Sequence, residues 1–265
     1  MKIIVADPAG NITVLVLDPV ESPQERAALA GAILAEKSLR AEQVGFVQPP
    51  VSESTAGGLW RLEMAGGEFC GNAARSFGLY IAGQRGMGRA KLFVSVSGEA
   101  GPVAVEADVE KGWAQAEMPK PLAIETLDYG GRSLPALIFE GISHIIAEDL
   151  EPAGETFNEI RSLAERKLKP FPALGIMFYD TASRFMRPAV YVGAAASLIF
   201  ESSCGSGSAA MGLWLSREMR DGQAQYDIAQ PGGLIQTRVI KEAGGIRNLV
   251  IGGEVKLAEP QEFFL

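Results

Sequence analysis

The chain contains two copies of one short segment, and each copy carries one of its only two cysteines. The copies read EFCGNAARSFGLYI around Cys70 and ESSCGSGSAAMGLWL around Cys204. Both have Cys-Gly, and eight positions after the cysteine both have Gly-Leu-aromatic-aliphatic. The cysteines lie 134 positions apart in a chain of 265 residues. This spacing predicts two related halves, each contributing one thiol to a shared function.

The repeat extends beyond the cysteine segments. The same offset of 134 places Gly98 over Gly232, each between two strand-like stretches. Near the start of each half, an offset of about 132 aligns residues 12–14 with 144–146, and such a slip is ordinary for loop insertions. Because the period far exceeds the 20 to 50 residues of solenoid repeats, the pattern indicates a duplicated domain.

Strand-like and helix-like segments alternate along the chain. Ser22-Pro23-Gln24-Glu25 is a capping box with proline at the first helical position, which predicts a helix reaching about Lys37. Buried helices are expected at 73–82 and 205–217, directly after the cysteines, and a more exposed one at 155–167. Met118-Pro119 is the expected boundary, giving domains 1–118 and 119–265, with the last strand able to return to the first half.

Composition and charge restrict the class of protein. The net charge of −8 and a pI near 4.9 disfavour nucleic acids and anionic membrane surfaces as partners. No apolar run is long enough for a membrane span, and the N-terminus lacks the apolar core of a signal peptide. A cytoplasmic location is therefore expected, where two cysteines serve as thiols rather than as a disulfide. The oligomeric state is open, with a homodimer as one alternative.

A cysteine at a helix start is chemically activated. The free N–H groups and the positive dipole end of the first turn stabilise a thiolate, whose usual pKa is about 8.5. Gly71-Asn72 and Gly205-Ser206 keep these N–H groups accessible to an anionic group of a ligand. Two such helices acting together would give a carboxylate two sets of donors with a sulfur on either side of it.

This arrangement suits the inversion of an amino acid at Cα without a cofactor. One thiolate removes the α-proton, and the opposed thiol delivers a proton to the other face. Charge that develops on the substrate carboxylate is stabilised by the backbone N–H donors. The chain has one histidine and two distant cysteines, so a four-ligand zinc site is not expected, and no phosphate-loop or dinucleotide motif occurs.

At these residues the sequence resembles the diaminopimelate epimerase-like superfamily, over nearly its whole length. Within the superfamily, the nearest pattern is that of the histidine racemases of staphylopine-type opine metallophore pathways. The matching runs are PAGNITVLV, EQVGFV, GGEFCGNA, ESSCGSG and QPGG. The resemblance implies an α/β (α+β) fold of two pseudo-symmetric domains, each a curled, mainly antiparallel sheet around a central helix. It also implies a racemase that uses Cys70 and Cys204 as acid and base and needs no cofactor.

The resemblance further implies that the amino-acid head of the substrate is held by Asn11, Gly71, Asn72, Gly205 and Ser206. The remaining candidate substrate-binding residues are Glu42, Gln43, His144 and Glu201.

Departures from diaminopimelate epimerase bear on the substrate. The chain has Ile142-Ser143-His144 in place of Asn-Pro-His, and Ala195-Ala196 in place of a Glu-Arg pair. Loss of an arginine that would bind a distal carboxylate disfavours diaminopimelate. Glu42 or Glu201 could instead pair with an imidazole or an ammonium group, which favours histidine.

Other interpretations remain open at this stage. The two cysteines could be buried structural thiols, and His144 could be a core residue of a strand. Diaminopimelate epimerase, proline-type racemases and other amino-acid racemases are alternatives within the enzyme class. A catalytically silent or redox-responsive amino-acid-binding protein is the alternative outside it.

Overall fold

The computed structural model describes residues 1–50, 59–193 and 196–264, so Ala195 of the motif comparison above lies outside the described residues. The chain divides into two compact units. Unit 1 comprises Met1–Glu117 and Gly252–Leu265, and unit 2 comprises Met118–Ile251. The division therefore falls one residue before the expected boundary, and the C-terminal residues belong to unit 1.

The described residues form four helices and eighteen strands. In chain order these are β1 (Lys2–Asp7), β2 (Thr13–Val16), α1 (Pro23–Ala35), β3 (Gln43–Gln48), β4 (Arg61–Met64), α2 (Gly71–Gln84), β5 (Arg89–Val96), β6 (Val103–Asp108), β7 (Trp113–Glu117), β8 (Ala123–Tyr129), β9 (Arg132–Ile138), β10 (Ile142–Glu148), α3 (Gly154–Lys167), β11 (Ala173–Asp180), β12 (Phe185–Val192), β13 (Ser197–Phe200), α4 (Gly205–Leu215), β14 (Gly222–Gln230), β15 (Gly233–Glu242), β16 (Gly245–Glu254), β17 (Lys256–Leu257) and β18 (Gln261–Glu262).

Unit 1 is a mainly antiparallel sheet around helix α2. Strand β1 pairs antiparallel with β2, β17 and β18, and β3 pairs antiparallel with β4. The β2–β3 and β4–β5 pairs are parallel, because α1 and α2 form their crossovers. Strands β5, β6 and β7 then form an antiparallel meander. Helix α2 packs on all three strands of the meander, and eleven of its fourteen residues are buried.

Unit 2 repeats this order of pairings. Strand β9 pairs antiparallel with β10, β10 pairs parallel with β11 across α3, and β11 pairs antiparallel with β12. Strands β12 and β14 meet in parallel across α4, and β14 pairs antiparallel with β15. Strands β8 and β13 add to the edges. Helix α4 packs on β10, β11, β14 and β15. The predicted α+β fold, with curled sheets and few helices, is confirmed.

The glycine that the two copies share lies where each central helix approaches its sheet most closely. A Cβ added to Gly78 would overlap the side chain of Val105 on β6, whose own Cβ would be only 2.8 Å away. A Cβ added to Gly212 would overlap Thr237 on β15 in the same way. The repeated glycine therefore permits close contact between helix and sheet in both units.

The two outer helices are held by one apolar face each. Helix α1 buries Leu29, Ala30 and Ile33, and its predicted cap is present, since the Ser22 hydroxyl accepts a hydrogen bond from the N–H of Glu25. Helix α3 buries Phe157, Ile160 and Ala164 at the spacing of an amphipathic helix. Among the described residues, no helix combines the length and apolar character that crossing a membrane requires.

Candidate active site

Cys70 is the N-cap of the central helix of unit 1. Its backbone is extended (φ −124°, ψ 111°), and its Sγ accepts a hydrogen bond from the N–H of Ala73 at 3.4 Å. The thiol is not part of a disulfide and is partly exposed. Gly98, in the turn after β5 with φ +74°, would place a Cβ within 2.6 Å of the carbonyl carbon of Glu68. Only glycine therefore fits beside the segment that leads into Cys70.

Cys204 occupies the same position in unit 2. Its backbone angles (φ −124°, ψ 115°) nearly equal those of Cys70, and its Sγ accepts a hydrogen bond from the N–H of Gly207, again at 3.4 Å. The thiol is free and buried. The N–H of Gly232 donates to the carbonyl of Ser202 at 2.7 Å, so the second glycine turn also braces the segment before the cysteine.

Each helix start leaves two backbone donors for a ligand. The third N–H of each helix is taken by the cysteine sulfur, and the fourth by the cysteine carbonyl. The N–H groups of Gly71 and Asn72 in unit 1, and of Gly205 and Ser206 in unit 2, have no acceptor within the described ranges. Such unpaired N–H groups at a helix N-terminus bind carboxylates.

A chain of hydrogen bonds, buried except at its partly buried last step, runs from Arg75 to Glu42 in unit 1. The Nε of Arg75 donates to Oδ1 of Asn72 at 3.2 Å, and Nδ2 of Asn72 donates to Oδ1 of Asn11 at 3.2 Å. Nδ2 of Asn11 then donates to Oε2 of Glu42 at 2.8 Å. Because arginine can only donate, it fixes the direction of every bond in the chain, and this orients both amides.

Gln43 lies beside this chain of hydrogen bonds but contributes through its backbone. It opens β3, pairs with Thr13, and donates its N–H to the carbonyl of Ile12 at 3.0 Å.

In unit 2, a hydroxyl links Cys204 to the histidine. Ser206 Oγ lies 2.9 Å from Nε2 of His144 and 3.6 Å from Sγ of Cys204. Complete burial lowers the pKa of His144 to about 3, so the ring is neutral at physiological pH. Its Nδ1 has no partner in the described part of the chain and packs on Gly175. We assign the proton to Nε2, because an orphaned buried donor is rarer than an orphaned acceptor. The Ser206 hydroxyl is then directed at the sulfur.

The Cys204 thiol is kept protonated by its surroundings. Burial raises its pKa well above the usual value, and the negative charge of Glu201, which accepts a hydrogen bond from the thiol, raises it further. The bonds from Ser206 and Gly207 act in the opposite direction but are weaker. These surroundings therefore favour the protonated thiol of Cys204.

Gln230, at the end of β14, fixes the backbone at Cys204. Its Oε1 accepts from the N–H of Cys204 at 2.9 Å, and its Nε2 donates to Oγ of Ser208 at 2.9 Å. Ser208 Oγ in turn donates to the carbonyl of Cys204 at 2.7 Å. Both polar groups of the cysteine backbone are thereby bound to one small network.

Comparison with known proteins identifies the family. Residues 1–262 match the family described as Histidine racemase CntK N-terminal domain. The chain belongs to this histidine racemase family. A histidine racemase of Fusobacterium nucleatum subsp. nucleatum is 33% identical over 238 residues, covering 87% of this chain and 86% of that protein. A histidine racemase of Staphylococcus aureus is 29% identical over 239 residues, covering 86% and 85%.

The fold of this racemase is shared with more distant isomerases. The crystal structure of a probable proline racemase from Agrobacterium radiobacter has a TM-score of 0.70 at 12% identity, covering 100% of this chain and 93% of that one. At this identity the likeness concerns the fold alone. The predicted membership of the superfamily, and the predicted isomerase class, are confirmed by the family match and the relatives.

The structure groups the predicted site residues of this racemase by unit. Unit 1 brings together Cys70, Gly71, Asn72, Asn11 and Glu42. Unit 2 brings together Cys204, Gly205, Ser206, His144 and Glu201. Within the described residues, no cluster of three or more His, Cys, Asp or Glu side chains could hold a metal ion.

Sequence reasoning missed two residues that contact the candidate site residues, Arg75 in unit 1 and Gln230 in unit 2. Both lie inside segments that the sequence singled out, CGNAAR and QPGG. The available signal for Arg75 was a lone charge inside an otherwise small and apolar helix. Gln230 carried no local signal, because its partners lie 22 and 26 positions earlier in the chain.

Proposed function

We propose that this chain interconverts L- and D-histidine by a cofactor-independent, two-base reaction at Cα. The thiolate of one cysteine takes the α-proton from one face, and the thiol of the other gives a proton to the opposite face. The observation that carries the proposal is the duplicated geometry of Cys70 and Cys204, each of which caps the central helix of its unit with its sulfur. Histidine as the substrate is supported by the names of the curated relatives.

The backbone N–H groups of the helix starts bind the substrate carboxylate. Removal of the α-proton places negative charge on Cα and, by delocalisation, on the carboxylate. Donors fixed in advance stabilise this charge without reorganising, which is the largest contribution in many enzymes. Gly71, Asn72, Gly205 and Ser206 supply such donors.

Glu42 recognises the imidazole. Its Oε2 is held by Asn11, so the carboxylate is fixed in orientation and bears a negative charge suited to an imidazole N–H or to an imidazolium. Glu201 is the weaker candidate for this role, because its carboxylate already accepts the hydrogen bond of the Cys204 thiol. Gln43 supports the position of Glu42 through the β2–β3 pairing.

His144 acts by positioning Ser206 and does not itself transfer a proton. Its pKa near 3 makes it a poor base at neutral pH, and its contact with the sulfur passes through Ser206. Asn11 and Asn72 likewise orient the groups beside Cys70.

Exchange of the α-proton with solvent tests the proposal. L-Histidine is incubated with the enzyme in heavy water, and deuterium at Cα is followed by proton NMR, with circular dichroism reporting D-histidine. The wild-type enzyme should give both signals. Cys70→Ser and Cys204→Ser should each abolish racemisation, because serine is a far weaker acid than cysteine and a poor proton carrier between the two faces.

A matched control separates the loss of a thiol from the loss of a helix cap. Ser22→Ala removes the cap of α1, costs about 1 kcal/mol of stability, and should leave exchange unchanged. Unchanged exchange in both cysteine variants would contradict the two-base reaction. Inversion of diaminopimelate or proline in preference to histidine would contradict the proposed substrate, and binding of histidine without exchange would favour a silent binding protein.

Glu42→Gln tests recognition of the side chain. The variant keeps an acceptor for Asn11 but removes the charge, so KM for histidine should rise about tenfold or more, as expected for the loss of a charge-assisted hydrogen bond. An unchanged KM in this variant would assign imidazole recognition elsewhere, with Glu201→Gln as the next variant.

Assembly and location complete the proposal. A homodimer is testable by sedimentation of the purified protein at micromolar concentration. A cytoplasmic, reducing location is supported by two cysteines that do not form a disulfide.

A further inference from the structure

Arg75 is a buried charge that the racemisation chemistry above does not use. It is the largest fully buried side chain of the described residues, with no exposed surface. Nη1 donates to the carbonyls of Gly253 and Glu254 at 3.1 Å each, and Nε donates to Asn72. Nη2 has no acceptor among the described residues. A buried cation is costly unless an anion compensates it.

No carboxylate in the described ranges lies within ion-pair distance of Arg75. The charges that favour its protonated form are those of Cys70, which acts more strongly, and Asp7. Burial nevertheless lowers the pKa of Arg75 to about 10, which leaves it charged at neutral pH. Because the attraction between two charges is mutual, the guanidinium favours a thiolate at Cys70.

Several other charged groups near helix α2 have ion-pair or hydrogen-bond partners of their own. On β5 and β6, Arg89 pairs with Asp108 at 2.8 Å, and Lys91 pairs with Glu106 at 3.7 Å. Glu254 contributes its carbonyl to Arg75, while its carboxylate lies 4.0 Å from Nζ of Lys256. On β1, Asp7 accepts the N–H of Gly10 at 2.6 Å, and Glu42 is linked to Arg75 through Asn72 and Asn11.

The duplicated halves differ at the positions that carry these charges. At the offset of 134, Arg75 corresponds to Ala209, a buried residue of α4, and Glu201 corresponds to Gly67. The helix caps are the same in both halves. Unit 1 therefore adds a cation near its thiol, whereas unit 2 adds an anion beside its thiol.

We propose that Arg75 is the positioning residue that keeps Cys70 as the thiolate in the substrate-free enzyme, while Glu201 keeps Cys204 as the thiol. This rests on the two-base reaction proposed above and assigns its starting state. The free enzyme is then ready for the enantiomer whose α-proton faces Cys70. After each inversion of that enantiomer, Cys70 holds the proton and Cys204 has lost one, and exchange with solvent restores the starting state.

Alkylation of the free enzyme tests the assignment without any substrate. Iodoacetamide reacts with thiolates, so the rate at each cysteine is measured from pH 5 to 10 by peptide mass spectrometry. In the wild-type enzyme, the midpoint of the alkylation profile should lie at least about one pH unit lower for Cys70 than for Cys204. The midpoint, unlike the absolute rate, does not depend on how exposed each sulfur is.

Variants test whether Arg75 and Glu201 cause the difference between the two alkylation midpoints. Arg75→Met should raise the midpoint of Cys70 by about one pH unit or more and slow its alkylation about tenfold at pH 7, and Arg75→Lys should largely restore both. Ser76→Ala, which removes a buried hydrogen bond to Asn72 but no charge, should leave the midpoint unchanged. Glu201→Gln should lower the midpoint of Cys204 and not that of Cys70.

Two results would overturn the assignment. One is a Cys204 midpoint at or below that of Cys70 in the wild-type enzyme. This measurement does not depend on whether any variant folds. The other is a Cys70 midpoint that is the same in wild type, Arg75→Met and Arg75→Lys. Neither depends on histidine being the substrate, so failure of the proposed function would appear separately, as absence of deuterium exchange.

Discussion

Because the chain has a single histidine, the effect of burying His144 can be measured without interference from other imidazoles. His144 has a folded pKa of about 3 because burial disfavours its charged form, whereas an unfolded histidine titrates near 6.5. Well above pH 6.5, the ring is neutral in both states and makes no pH-dependent contribution. As the pH falls below 6.5, the unfolded state takes up a proton that the folded state does not, so stability is lost progressively until about pH 3.

The size of the stability loss follows from the difference between the folded and unfolded pKa values of His144. Between pH 7.5 and 5.5, the free energy of unfolding should fall by about 1.4 kcal/mol on account of His144. Urea unfolding of the untagged protein, followed by circular dichroism at both pH values, measures the fall. His144→Gln should remove this part of the pH dependence, whatever its effect on absolute stability. Carboxylates contribute little in this window, because their usual pKa values lie near 4.

Proton NMR provides a direct second measurement for His144. The untagged protein has one imidazole Hε1 signal, and it should keep the chemical shift of a neutral ring from pH 8 to 5. A signal that titrates with a midpoint near 6 would refute the argument from burial. Equal pH dependence in wild type and His144→Gln would refute it as well.

Two further predictions concern the scaffold of the site. Gly78→Ala forces a Cβ into Val105, whereas the Cβ of Gly31→Ala on α1 meets nothing within 4 Å. Both variants gain helix propensity, so Gly78→Ala should be less stable than Gly31→Ala by about 1–3 kcal/mol in urea unfolding. Equal stabilisation by the two substitutions would disprove the close contact. Gln230→Ala leaves the buried N–H of Cys204 without its acceptor, and deuterium exchange of the substrate should fall about tenfold or more. The control for it is Gln236→Ala, which removes only an exposed bond to Asp227, and equal loss in both variants would count against a specific role for Gln230.

The features that could be predicted from the sequence, such as helix starts and caps, are those that local chemistry determines. Helix α4 begins at Gly205 as expected, α2 begins at Gly71, two residues before the expected start, and Ser22 caps α1 as its capping box requires. The ends are less well determined: α1 stops at Ala35 rather than Lys37, and α4 at Leu215 rather than Arg217. Helix ends depend on weak local preferences that tertiary contacts override.

Contacts between distant segments could not be predicted from local patterns. Asn11 meets Glu42 across 31 positions, and His144 meets Ser206 across 62. Each pairing depends on strand register, since one step along β10 would turn the imidazole to the other face of the sheet. The resemblance named most of these residues, but only the structure shows which of them touch.

Duplication explains why the site has two similar helix starts but does not explain how they perform different roles. A two-base reaction needs one sulfur charged and the other protonated at the start of each turnover, and two identical halves would leave that choice unresolved. The burial of Arg75 beside the first helix start, and the carboxylate of Glu201 beside the second, break the equivalence. Both departures lie outside the Cys-Gly motif itself. In the reaction proposed above, the part of the repeat that both halves share binds the α-carboxylate and carries out the inversion, and the part that differs sets the direction from which the reaction begins.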